Sequence, residues 1–166
     1  MSSGRIAALT TVLVMSSTLL SGCEKPGPKA TVFSGGQSAS REALCWSAEP
    51  DHPIDQADCL MDEAGGTLTE EGAAQLADYL ASIEVSSGQT IGISVDPEVA
   101  ESGWSVSVNG RRRNANLIGE TYFRFALSER ELRGPSLELQ VVAPTEDLSD
   151  RRGLWVFELR PAGEAP

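Results

Sequence analysis

The sequence predicts a mainly β domain, an immunoglobulin-like two-sheet β-sandwich of about seven strands with one short inserted α-helix. Three observations predict it: apolar and polar residues alternate over four separate runs, turn-forming dipeptides fall between those runs, and one segment switches to helical spacing. In chain order, Thr31-Val32-Phe33 is β-prone and stops at the Ser34-Gly35-Gly36 turn, and a second short strand covers Arg41 to Trp46. The alternating runs are Ile91, Ile93 and Val95; Trp104, Val106 and Val108; Phe123, Phe125 and Leu127; and Leu137, Leu139 and Val141. Period two puts each set on one face of a strand, so each strand is half-buried. Asp96-Pro97, Asn109-Gly110, Gly134-Pro135 and Ala143-Pro144 separate the runs. Asn109-Gly110 is the strongest hairpin signal, because a type I′ turn needs positive φ at both central positions. Leu154-Trp155-Val156-Phe157 is apolar in both phases, which fits a central strand covered on each side.

The helix is expected over residues 68–84. Thr67-Leu68-Thr69-Glu70 fits a capping box, and Ala73, Leu76, Ala77, Leu80 and Ile83 recur at helical spacing until Ser86-Ser87-Gly88. Glu70 and Glu71 in the first turn complement the helix dipole.

The N-terminus carries an address. Ile6 to Leu20 is an apolar run of 15 residues behind Arg5, closed by Leu20-Ser21-Gly22-Cys23. A bilayer core of roughly 30 Å needs about 20 apolar residues, whereas a signal-peptide core needs only about 7 to 15. Small residues at Ser21 and Gly22 suit a peptidase groove, and the Cys23 thiolate is the nucleophile that takes a diacylglyceryl group. Residues 1–22 therefore read as a lipoprotein signal peptide, 23–29 as a lipidated linker, 30–161 as one domain and 162–166 as a flexible tail. Two or three acyl chains, at about 0.8 kcal/mol per buried methylene, imply membrane attachment at the extracytoplasmic face.

Charge is placed unevenly. Residues 24–101 carry 15 carboxylates against Lys25, Lys29 and Arg41, whereas residues 102–166 balance nine against nine. A net charge of −11 argues against nucleic acid, which demands a clustered cationic face.

With Cys23 committed to lipid, an oxidising compartment makes a Cys45–Cys59 disulfide the default. A competing reading uses Cys45, His52 and Cys59, spaced seven residues apart with Met61 nearby, as soft ligands for copper(I) or zinc. Pro50 and Pro53 break a continuous helical face there, and a closed zinc site wants four ligands. Asp51, Asp55, Asp58, Asp62 and Glu63 offer oxygens for calcium, though their spacing matches no EF-hand. His52, the single histidine, has no Gly-x-Ser-x-Gly partner motif, so hydrolase chemistry is the least supported class. Arg111-Arg112-Arg113 follows the Asn109-Gly110 turn and would project three guanidiniums toward phosphate, anionic lipid or a carboxylate-rich partner, or pair with the acidic half of the chain. Trp104 and Trp155 sit on apolar strand phases and read as core, while Trp46 beside Cys45 packs on the disulfide or stays partly exposed.

The order of several short segments carries a resemblance: Cys23-Glu24-Lys25-Pro26, Ala30-Thr31-Val32, Glu42-Ala43-Leu44-Cys45, Val95-Asp96-Pro97-Glu98-Val99-Ala100 with Gly103-Trp104, Val108-Asn109-Gly110, Thr121-Tyr122-Phe123 and Gly153-Leu154-Trp155-Val156-Phe157. Together these resemble an actinobacterial exported lipoprotein family defined only as a domain of unknown function. The resemblance spans nearly the whole mature chain and is weakest over residues 60–88. It implies an exported, lipid-anchored envelope domain and supplies no catalytic residues. The expectation is a non-catalytic binding or accessory module without a cofactor, attached to the membrane through Cys23 and meeting an envelope protein partner. The alternative is a metal or small-solute binding lipoprotein using the acidic Cys45 to Met61 loop.

Overall fold

A computed structural model describes residues 26–54, 59 and 69–163. Cys23, the signal segment, Asp55, Asp58, Met61, Asp62, Glu63 and the Thr67-Leu68 start of the expected capping box lie outside the described residues.

The chain forms the expected two-sheet β-sandwich, with ten strands among the described residues rather than about seven. One sheet runs in the order β2 (Gln37–Glu42), β1 (Lys29–Ser34), β5 (Thr90–Val95), β8 (Tyr122–Ala126). The other runs β3 (Cys45–Trp46), β10 (Arg151–Pro161), β9 (Leu137–Pro144), β6 (Ser105–Val108), β7 (Arg111–Arg112). A further strand, β4 (Ala81–Val85), pairs in parallel with the same edge of β10 that β3 uses.

Alternation works as the sequence reading requires. Val32, Ile91, Ile93, Val106, Leu139, Val141, Trp155, Phe157 and Leu159 meet in the space between the sheets, each at most 1 % exposed. Trp104 and Trp155 are both core. Asn109 (φ 47°) and Gly110 (φ 72°) both take positive φ and close the β6–β7 hairpin. β10 is central, and Val156 is buried on the face turned away from the core.

The helix expectation needs correction. Helix α1 spans Glu70–Tyr79, and the residues expected to continue it to 84 form β4 instead. Its N-cap is Thr69, whose hydroxyl accepts the Gly72 N–H at 2.9 Å. Leu80 turns to extended geometry, and Ala81, Ile83 and Val85 then alternate into the core. The β-branched pair Ile83 and Val85 favours that outcome, and the β10 edge offers the backbone partner. Ala73 and Ala77 are exposed, so the expected apolar face shrinks to half-buried Leu76 and Leu80. A second helix, α2 (Pro97–Ser102), occupies the segment read as a turn and carries the chain from β5 toward Trp104. The expected strand from Arg41 to Trp46 is broken: Glu42 ends β2 and Cys45 starts β3 in the opposite sheet.

The two sides of the sandwich close differently. On one, the Gln37 amide bridges β2 to β4, donating to Glu84 Oε2 at 3.2 Å and accepting the Glu84 N–H at 2.9 Å. On the other, β8 and β7 are terminal strands. That side is spanned by side chains, and it holds a cleft of some size.

Candidate functional site

The cleft, about 620 Å³ in volume, opens beside the β6–β7 hairpin. Val108 and Leu137 form its apolar part, and Asn109, Arg111, Arg113, Ser128, Arg130 and Glu131 line the rest. Strand alternation explains which arginines enter. Arg111 pairs with inward-facing Val108, and the Arg113 N–H bonds Val106 O at 2.8 Å, so these two share the core-side face; Arg112 pairs with Ser107 on the outer face. The triplet therefore does not act as one unit: the fold splits it two to one and adds Arg130 from a distant loop.

Arg113 is the fixed member. Its guanidinium lies 5.5 Å from the centre of the Phe125 ring, reaching from the β7 side to β8, and its Nη2 donates to Glu131 Oε1 at 2.6 Å. Its Nε is buried without a hydrogen-bond partner. Glu131 opens the 3₁₀ turn Glu131–Arg133 and accepts from the Ser128 N–H at 2.9 Å and the Ser128 hydroxyl at 2.7 Å. The Ser128 backbone donor first, then its hydroxyl and Arg113, hold the Glu131 carboxyl down at about 2. Asn109 uses its side-chain oxygen to accept the Glu138 N–H at 2.8 Å, which leaves its amide nitrogen free among the described residues. Arg111 and Arg130 are exposed and have no ion-pair partner among the described residues.

The Cys45 end is organised around a different cation. Cys45 and Cys59 are bonded, with Cα atoms 5.3 Å apart. The disulfide takes both thiols, so of the Cys45, His52 and Cys59 ligand set only the imidazole remains, and thiolate ligation of copper or zinc is corrected. His52 contacts Glu49 through Nδ1 and lies 3.4 Å from Asp51, all three exposed. Trp46 is half-buried: the Arg152 guanidinium sits 4.2 Å from its ring centre, and Trp155 lies 5.8 Å away. A methyl group at Gly153 would meet the Trp46 ring at 2.6 Å, so only glycine admits that ring. Arg152 is 5 % exposed and donates to the Ser102 hydroxyl at 2.9 Å. Burial pushes its guanidinium below the ordinary value, and Glu98 opposes that shift. Sequence reasoning missed Arg152; an arginine just before Gly153 and the apolar run Leu154 to Phe157 is the signal that could have flagged it.

Position along the strands separates these places. Pro28 O accepts the Ala43 N–H at 2.9 Å and the Trp155 indole N–H at 3.0 Å, which fixes the entering chain at the level where Trp155 faces Val141. The arginine cleft begins at Leu137, at the other end of β9, and runs through Val108 on β6 to Arg111 on β7, three strands across from β10.

No family model matches the chain, and no curated protein matches it. Among solved structures, the fibronectin(III)-like modules of Clostridium thermocellum CbhA are similar over 49 % of this chain and 87 % of that one, at 11 % identity and a TM-score of 0.38.

Proposed function

We propose that this chain is a lipid-anchored envelope domain, held through Cys23 at the outer face of the cytoplasmic membrane, that serves as a non-catalytic binding or accessory module through its arginine-lined cleft. The carrying observation is the collection of Arg111, Arg113 and Arg130 around one cleft in a chain of net charge −11. Guanidiniums do not give up protons in proteins, and a carboxyl held at about 2 stays ionised at neutral pH. Such a lining suits holding an anion better than moving protons. The apolar start before Cys23 and the Leu20-Ser21-Gly22-Cys23 tetrad support the anchor.

Two measurements test the two halves. Cys23→Ala should move the protein out of the membrane fraction; unchanged membrane abundance would overturn the anchor. In the Cys23→Ala background, which removes the lipid, pelleting with isolated envelope fragments should be lost on adding Arg111→Glu and Arg130→Glu. Equal pelleting with and without these two changes would remove the cleft from the binding function.

A further inference from the structure

The geometry points to a ligand class: we propose that the cleft takes the phosphoryl groups of an anionic envelope polymer, and not the headgroups of the membrane on which the chain is anchored. This rests on the anchored-module reading above and adds the chemistry of the ligand and its source.

Charge decides first. The lining presents three guanidiniums against the single carboxylate of Glu131, which is already engaged by Ser128 and Arg113. One carboxylate ligand would leave the cleft cationic, whereas a phosphomonoester dianion or two successive phosphodiesters would neutralise it. Donor geometry points the same way. Arg111 and Arg113 enter from alternate residues of one strand edge and Arg130 from the facing loop, with the free Asn109 amide nitrogen between the hairpin strands. Donors arriving from separate elements suit a tetrahedral group with oxygens on several sides, where a planar carboxylate offers two oxygens in one direction. A cleft of about 620 Å³ holds more than one such group, which favours a repeating polymer.

Net charge speaks against the bilayer as the source. The chain carries −11, so broad approach of the domain to an anionic headgroup surface is repelled, whereas a single polymer strand entering the cleft meets its guanidiniums.

The test is calorimetric titration of the full chain, carried in phosphatidylcholine nanodiscs, with sodium tripolyphosphate and, separately, with citrate as a carboxylate of comparable charge. Tripolyphosphate should bind, at least about tenfold more tightly than citrate. Arg111→Ala and Arg130→Ala should each weaken it about tenfold or more, as loss of a charge-assisted hydrogen bond implies, and outward-facing Arg112→Ala should change it less than about twofold. Replacing part of the phosphatidylcholine by phosphatidylglycerol should leave the affinity within about twofold. Absence of tripolyphosphate binding, indifference to Arg111 and Arg130, or citrate binding of equal strength would overturn the phosphoryl assignment. A tenfold loss in phosphatidylglycerol discs would show headgroups occupying the cleft and overturn the choice of a polymer over the membrane. If tripolyphosphate fails while the charge-reversed variant still loses envelope pelleting, the binding-module reading survives and the ligand class alone falls.

Discussion

Replacing Glu131 by glutamine removes the charge that fixes Arg113 while keeping the side chain's shape. Glu131 receives three donors, the Ser128 N–H, the Ser128 hydroxyl and Arg113 Nη2, between 2.6 and 2.9 Å. Its carboxyl is lowered from 4.5 to about 2, and at 1.36 kcal/mol per unit this caps the contribution near about 3 kcal/mol. The side chain is 26 % exposed, so solvent screening reduces the expectation to about 1–2 kcal/mol. Because the folded value lies below the unfolded one, the stabilisation is complete above about pH 4.5 and is lost as pH falls through about 2. Urea unfolding of wild type and Glu131→Gln, followed by tryptophan fluorescence across a pH series, reads this directly. The gap between the two should be constant from neutral pH to about 5, fall below half by about pH 3, and close near 2. Other carboxylates titrate in both proteins and cancel in the difference. A gap absent at pH 7, or one undiminished at pH 2.5, would refute the claim that this carboxylate organises the cleft. Arg113→Met gives the complementary check: in that background Glu131→Gln should cost clearly less.

Two further perturbations probe the frame around the site. A methyl group at Gly92 would lie 2.3 Å from the Phe33 ring, which crosses it on the outer face of β1 and β5 and stacks on Tyr122 at 5.9 Å. Gly92→Ala should therefore destabilise by about 1–3 kcal/mol, and most of that cost should vanish in a Phe33→Ala background; persistence there would place the strain elsewhere. Cys45→Ser with Cys59→Ser opens a loop of sequence separation 14 and should lower stability by about 3 kcal/mol in chemical unfolding. A change below about 0.5 kcal/mol would show that Trp46, Arg152 and Gly153 hold this end without the bond.

The elements legible in the sequence are those where one face is buried and the other wet. β5, β6, β8 and β9 announce themselves by alternation, and the Asn109-Gly110 turn by its φ requirement. β2 was illegible because Gln37–Glu42 contains a single apolar residue, Ala39, and lies at a sheet edge with no fully buried position. β4 is hidden for a different reason: Leu80 and Ile83 continue the helical spacing begun at Ala73, and the free β10 edge decides for a strand. The cleft was half legible. Arg111 and Arg113 stand out as part of a basic triplet, but Arg130 and Glu131 are 17 residues or more away, and nothing in composition says that the loop bearing them returns to the β6–β7 hairpin.

β10 is the most connected strand in the domain, and it is synthesised after all the others described. It supplies the partner for β3, β4 and β9 at once, and its Trp155 reaches back 127 residues to Pro28. Until residues 151–161 emerge, β3 and β4 have no strand to join and β9 has only β6, so the nascent chain gains little by collapsing early. On the anchored reading proposed above, that timing would suit a polypeptide threaded N-terminus first across a membrane. It would stay loose in a narrow conduit and lock when β10 arrives on the far side.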